Sequence, residues 1–128
     1  MVYLLIALGG AAGSLLRYSL GGAVQRASAS GFPVGTMVVN VSGCFLIGVL
    51  LRQFMNMQLS HDLRALLIVG FCGGFTTFSM FSLETFRLAQ SGKLAAAGLN
   101  IALSIFGWLG AVWLGHVLAL RMNRLKGS

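Results

Sequence analysis

Four long apolar stretches cover almost the whole chain, at residues 2–23, 33–54, 63–89 and 95–119. Each can cross a bilayer as a helix, which takes about 20 residues. Hydrophobic residues make up 57% of the sequence and charged residues only 9%, so too little polar surface remains for a soluble domain. The sequence therefore predicts an all-α integral membrane protein, with residues 1–128 forming one domain of four transmembrane helices. The first stretch has no basic segment ahead of it, which favours a retained helix over a cleaved signal peptide.

The third stretch contains a run that a regular membrane helix rarely accommodates, GFCGGFTTFSMFSLETF at residues 70–86. The adjacent glycines Gly73 and Gly74 are followed by the adjacent threonines Thr76 and Thr77. Lipid offers no hydrogen bonds to freed backbone groups, so an interruption is tolerated only where protein, water or an ion satisfies them. The run predicts a broken third helix and a candidate ion site.

The distribution of positive charge bears on partners and on orientation. The nine Lys and Arg residues, which give a net charge of +7, are scattered over helix ends and short loops, a pattern that does not indicate a nucleic-acid partner. With four spans both termini share one side, which carries Arg52, Arg64, Arg121, Arg124 and Lys126, and the opposite side carries Arg17, Arg26, Arg87 and Lys93.

Five basic residues against four is a weak bias under the positive-inside rule, so the chain can insert in either orientation. Dual topology predicts an antiparallel homodimer whose two-fold axis lies in the membrane plane. A single topology set by insertion factors is the alternative.

Small residues mark two faces for close helix packing. Gly9 and Gly13 lie four residues apart in the first stretch, and Gly107, Ala111 and Gly115 form a similar stripe in the fourth. Cys44 and Cys72 lie inside apolar stretches without metal-ligand spacing, and we expect them to pack.

Three stretches carry polar side chains that need partners inside a membrane. Thr36 and Asn40 share a helix face, and the Asn40 amide can either donate to an anion or form an interhelical hydrogen bond. Arg17, near the end of the first helix, either anchors that end or lines an anion vestibule. A polar face on the fourth stretch is formed by Asn100, Ser104 and Trp108.

Phenylalanines recur every third residue beyond the glycine pair, at Phe75, Phe78 and Phe81. Aromatic ring edges carry positive potential, so rings presented edge-on tolerate a small anion, whereas ordinary packing is the alternative. Apart from Asp62 at a helix start, Glu84 is the only carboxylate associated with the spans, and we expect it to pair with a basic vestibule residue. Its place toward one end favours a channel over a proton-coupled carrier, which needs an acid deep in the membrane.

Three segments together resemble a known family. GGAAGSLLRY at 9–18, GTMVVNVSG at 35–43 and GFCGGFTTFSMFSLET at 70–85 match, in order and spacing, the Fluc family of small bacterial fluoride channels, also called CrcB. The resemblance implies a dual-topology homodimer in the bacterial inner membrane, with two antiparallel pores. It also implies passive export of fluoride and no enzymatic activity.

The resemblance further implies roles for individual residues. Backbone carbonyls of Gly73 and Thr76 from both chains would hold a central sodium ion, and Arg17 matches the arginine of the family motif beside the vestibule. The fluoride pore would be lined by Phe78, Phe81, Asn40, Ser104, Asn100, Thr77 and Ser79. Two departures affect the expected pore geometry. Met80 stands where the family usually has threonine, and Trp108 stands where a small polar residue would continue the polar track that Asn100 and Ser104 form on the fourth helix. Trp108 is expected either to narrow that track or to turn away from it.

Two other classes remain as alternatives. A small multidrug-type proton-coupled antiporter also has four helices, but it needs a buried carboxylate in the first helix, and residues 2–23 contain no Asp or Glu. A noncatalytic assembly subunit would explain the small-residue stripes but not an interrupted helix beside aromatic rings.

Overall fold

The structure is a computed structural model that describes residues 1–57 and 60–126. The rest of the predicted domain, residues 58–59 and 127–128, lies outside the described residues. The elements in chain order are α1 Val2–Ser28, α2 Val34–Met57, α3 His61–Arg64, a π-helical segment Ala65–Cys72, α4 Gly73–Phe75, α5 Phe78–Gln90 and α6 Leu94–Lys126. Four stretches are long and apolar enough to cross a membrane: Val2–Ser28, Val34–Gln53, His61–Gln90 (the third span) and Leu94–Leu125. The predicted all-α membrane protein with four spans is confirmed.

The helix ends follow from local hydrogen bonds. Ser60 caps the third span, because its Oγ accepts the Leu63 N–H at 3.2 Å. After α5, Gly92 adopts φ 81, a conformation open to glycine, and the Lys93 N–H then donates to the Leu88 carbonyl at 2.9 Å. This tight turn leads directly into α6.

Backbone contacts at glycines hold the spans together. A Cβ added at Gly9 would meet the Leu66 carbonyl, and one added at Gly13 would meet the Phe71 carbonyl, so α1 lies directly on the π-helical segment. A Cβ at Gly115 would likewise meet the Phe45 carbonyl, which brings α6 against α2. The predicted packing role of both small-residue faces is confirmed, since only residues without a side chain permit this approach.

Two residues in the third span leave the helical conformation. Thr76 has φ −86 and ψ 155, and Thr77 has φ −148 and ψ 114, so the backbone is extended between α4 and α5. Gly73 and Gly74, the adjacent glycines in the run that predicts the broken helix, remain helical. Gly74 instead permits contact with α1, since an added Cβ would lie 2.9 Å from the Gly10 Cα.

Candidate functional site

The extended segment is held to α2 by one side chain. Asn40, which is 4% exposed, accepts the Thr77 N–H on Oδ1 at 2.8 Å and donates from Nδ2 to the Thr77 carbonyl at 3.0 Å. Both backbone groups of Thr77 are therefore satisfied where lipid would leave them unpaired. Of the two uses expected for Asn40, the structure places its amide in an interhelical hydrogen bond, and a second N–H of its amide group remains.

A second contact comes from α1. The Arg17 Nε donates to the Gly74 carbonyl at 3.2 Å, and the Ser14 hydroxyl donates to the same carbonyl at 3.4 Å. Arg17 also lines a cavity of about 280 Å³ between α1, α2 and α5. The two roles expected for Arg17, an anchor for the end of α1 and a wall of an anion vestibule, are therefore compatible with one position of its side chain.

Gly73 and Thr76, the predicted sodium ligands, lose their usual helical donors. The Thr77 N–H goes to Asn40 instead of the Gly73 carbonyl four residues earlier. The Met80 N–H goes to the Thr77 hydroxyl at 3.2 Å instead of the Thr76 carbonyl. Gly73 is exposed, so its backbone borders open space in the single chain. Within residues 1–57 and 60–126, no cluster of three or more His, Cys, Asp or Glu side chains offers another metal site.

The two predicted pore phenylalanines differ in surroundings. Phe78 is 71% exposed, whereas Phe81 is 7% exposed, and their ring centroids lie 5.7 Å apart. Phe81 packs against the Trp108 ring edge to face, at 4.9 Å and 74°. Trp108 therefore turns toward the aromatic pair, and the alternative that it turns away is wrong.

The polar face of α6 lies against α5. The Ser104 hydroxyl donates to Asn100 Oδ1 at 3.4 Å, and Asn100 Nδ2 donates to the Thr85 hydroxyl at 2.9 Å. Thr85 in turn donates to the Phe81 carbonyl at 2.8 Å. Asn100 and Ser104 are each 1% exposed, so their end of this chain of hydrogen bonds is buried, whereas Thr85 is half-buried.

The remaining predicted pore hydroxyls lie at the start of α5. The Thr77 and Ser79 hydroxyl oxygens are 3.2 Å apart, and either can donate to the other. Ser79 is exposed in the single chain, and Met80, the first departure from the family pattern, is 37% exposed. Met80 borders the same cavity as Arg17 and therefore forms part of its apolar wall.

Glu84 forms its hydrogen bond with a hydroxyl group. Its Oε1 accepts the Thr36 hydroxyl at 2.7 Å, and its buried Oε2 has no hydrogen-bond partner within the described part of the chain. The Thr36 hydroxyl reaches Glu84 because the face shared by Thr36 and Asn40 is turned toward the third span. The pairing of Glu84 with a basic vestibule residue stays a prediction.

Three cavities follow one another along these residues. The first cavity, of about 320 Å³, is lined by Arg87 and Lys93. The second, of about 280 Å³, is lined by Arg17 and Arg26 and shares Gln25 and Glu84 with the first. The third, of about 170 Å³, shares Thr77 with the second. The third is lined by Asn40, Cys44, Thr76, Thr77, Phe78 and Trp108. We call the first two cavities together the basic vestibule and the third the ring cavity.

Two residues that sequence reasoning missed help to shape the site. Gln25 holds the α1–α2 loop by donating to the Ser30 and Phe32 carbonyls and accepting the Gly35 N–H. Thr85 connects the polar face of α6 to Phe81. The one sequence signal for Thr85 was its position four residues after Phe81. Nothing in the sequence around Gln25 distinguishes it from other polar residues.

The fold and the site define a small multi-pass membrane protein whose polar groups converge on one interruption in its third span. Residues 4–116 match the family described as CrcB-like protein, Camphor Resistance (CrcB), and the chain belongs to this family.

Relatives match over nearly the full length. A protein of Methylocella silvestris is 44% identical over all of both chains. One of Thermus thermophilus is 50% identical over 98% of this chain and 95% of its own, and one of Paramagnetospirillum magneticum is 47% identical over 97% and 99%. Each of the three is named "Fluoride-specific ion channel FluC".

Proposed function

We propose that this chain is a fluoride-specific ion channel that lets fluoride leave a bacterial cell passively across the inner membrane. Relatives that are at least 44% identical and match along their length carry that name. The observation that carries the proposal is the series of adjoining cavities that leads from the basic vestibule to the ring cavity. Of the three residues that connect the cavities, Glu84 and Thr77 belong to the interrupted third span and Gln25 belongs to α1.

Charge in the basic vestibule suits an anion. Four basic side chains line it, namely Arg17, Arg26, Arg87 and Lys93. Glu84 is the single carboxylate on its wall, and Thr36 holds one of its two oxygens. A surface with one dominant sign of charge raises the local concentration of the opposite ion, so fluoride would gather at the entrance.

The ring cavity, together with Ser79 and Phe81 next to it, then supplies what a dehydrated fluoride needs. Fluoride binds its water strongly, so a selective path must replace that water with fixed donors and positive ring edges. The free N–H of Asn40 and the hydroxyls of Thr77 and Ser79 are the donors that we assign to this step. The edges of Phe78 and Phe81 provide positive potential without a charge that would trap the ion. Asn100 and Ser104 contribute by fixing the α5 backbone at Phe81.

We also propose that the working unit is an antiparallel homodimer with two pores. Phe78 is 71% exposed in the single chain, and Gly73 and Ser79 are exposed nearby. A second copy that covers this surface would complete the wall of the ring cavity at Phe78. The weak charge bias between the two sides of the membrane supports opposite insertion of the two copies.

A sodium ion at the dimer axis fits the backbone of the interruption. The N–H groups that would bond the Gly73 and Thr76 carbonyls in a helix go instead to Asn40 and to the Thr77 hydroxyl. Once a second copy covers these carbonyls, they would need another partner. Oxygen ligands suit a hard cation, so two carbonyls from each copy would form its site. The bound cation would supply positive charge and structural stability.

Fluoride efflux from liposomes tests the channel proposal. Purified protein is reconstituted into vesicles loaded with potassium fluoride, and valinomycin is added to carry the compensating charge. We expect rapid efflux that stops without valinomycin, and little efflux of chloride from matched vesicles. Efflux that depends on a proton gradient instead of valinomycin would indicate a coupled carrier, and no efflux would contradict any transport of fluoride.

The sodium proposal has its own test. Because a ligand that binds only the folded state raises stability by mass action, the unfolding temperature should rise with sodium concentration. Potassium at the same ionic strength is the control and should not reproduce the increase. Equal stability in both salts would argue against a specific sodium site.

A further inference from the structure

We infer that the indole N–H of Trp108 donates a hydrogen bond to the fluoride ion in the ring cavity and so acts as a specificity-determining residue. The inference rests on the proposed fluoride channel and deepens it, because the resemblance to the family gives Trp108 no role except that of a departure.

The starting observation is a donor without an acceptor. Trp108 Nε1 is buried and has no hydrogen-bond partner within residues 1–57 and 60–126. A buried N–H that has lost water and gained no protein acceptor is unfavourable, and such groups in folded proteins call for an explanation. The Trp108 side chain lines the ring cavity, so a small shift of the indole as the ion enters would bring the buried N–H to an acceptor there.

The neighbouring polar residues on the same helix face do not line the ring cavity. Ser104 donates to Asn100, and Asn100 donates to Thr85, which donates to the Phe81 carbonyl. Trp108 is the residue of α6 that lines the ring cavity, so its N–H is the donor on that side.

The chemistry of indole matches the requirement for a small anion. Its N–H donates and cannot accept, so this group favours an acceptor such as an anion. Hydrogen bonds to a charged acceptor are about twice as strong as neutral ones. The edge-to-face contact with Phe81, with the ring centroids 4.9 Å apart, keeps the indole beside the ring cavity.

Spectra of the wild-type protein test this contact directly. The chain contains two tryptophans, so ¹⁵N-indole labelling yields two indole resonances. Trp113, which is 66% exposed on the same helix, serves as the internal control. We expect sodium fluoride to move the Trp108 indole proton downfield and leave that of Trp113 in place, whereas sodium chloride at equal ionic strength moves neither. W108F assigns the resonance by deleting it.

Flux provides the functional readout. W108F keeps a ring against Phe81 but removes the donor, and fluoride efflux should fall by about tenfold or more, as expected for the loss of one hydrogen bond to a charged group. W113F should leave efflux unchanged. A Trp108 resonance that fluoride does not move, or normal efflux through W108F, overturns the inference while the fluoride channel itself stands. If the wild-type protein passes no fluoride, the proposed function fails and the inference fails with it.

Discussion

Asn40 satisfies the backbone N–H and carbonyl of Thr77, which lie outside the helices of the third span, and it also borders the proposed fluoride path. Asn40→Asp keeps an acceptor for the Thr77 N–H, but an ionised carboxylate cannot donate to the Thr77 carbonyl and adds negative charge beside the ring cavity. We expect fluoride efflux to fall sharply, and normal efflux at pH 7 would contradict a position on the path. Ser42→Ala, on an exposed site of the same helix, is the control.

Removing the Asn40 side chain tests its structural role separately. Asn40→Ala leaves both backbone groups of Thr77 without their partner, and each unsatisfied group costs about 1–3 kcal/mol. The expected result is a clear decrease in unfolding temperature, measured on the purified protein in detergent. Stability equal to that of Ser42→Ala would show that other groups satisfy Thr77.

The two pore phenylalanines are tested by replacing rings with aliphatic side chains. Phe78→Ile and Phe81→Ile remove the positive ring edges while keeping apolar bulk, so both should reduce fluoride efflux by about tenfold or more if each ring contact is worth ~1.4 kcal/mol. Phe106→Ile is the matched control, because Phe106 is 77% exposed on the opposite side of α6 from Ser104. Normal efflux through both pore variants, with assembly intact, would reject the proposal that ring edges contact the ion.

At the scale of elements, close approach of α1 to the third span depends on Gly13. A Cβ at this position would meet the Phe71 carbonyl and would lie 2.8 Å from the Phe75 N, and backbone atoms cannot easily move aside. Gly13→Ala should therefore destabilise the protein by about 1–3 kcal/mol, the usual cost of overpacking. The check is the fraction that stays folded in a detergent titration, compared with Gly110→Ala, whose added Cβ meets nothing within 4 Å. Equal behaviour of the two variants would mean that α1 can move away.

The sequence predicted these elements well because the signals are local. Four apolar stretches have the length of spans, and the spacing of Gly9 and Gly13 alone indicated a close helix contact. The backbone conformation of the third span was harder to predict. The glycine pair stays helical and Thr76 and Thr77 are extended, because Asn40 and the Thr77 hydroxyl take the N–H groups that would have continued the helix.

The site itself was predictable only in part. Asn40, Phe81 and Trp108 could be named from their types and spacing, but their partners depend on which helix faces meet. Glu84 illustrates the difference: its charge suggested a basic partner, whereas the packing of α2 on α5 brings the Thr36 hydroxyl to it. Gln25 and Thr85 carried no signal strong enough to separate them from other polar residues.

For the whole molecule, dual topology predicts that the same residue lies on one side of the membrane in some copies and on the other side in the rest. Ser91→Cys, in the turn before α6, is made in a background where Cys44→Ala and Cys72→Ala remove the two native thiols. A membrane-impermeant maleimide added outside intact cells should label part of the protein, and lysis should expose the rest. Labelling from one side only would indicate a single topology and would contradict the antiparallel dimer.

Passive and selective movement of fluoride is best tested by the reversal potential in a planar bilayer. Under a fluoride gradient with equal chloride on both sides, we expect the current to reverse at the Nernst potential of fluoride, and a pH gradient should not shift this potential. A reversal potential that follows chloride, or that moves with the proton gradient, would show that the protein is not a passive, fluoride-selective channel.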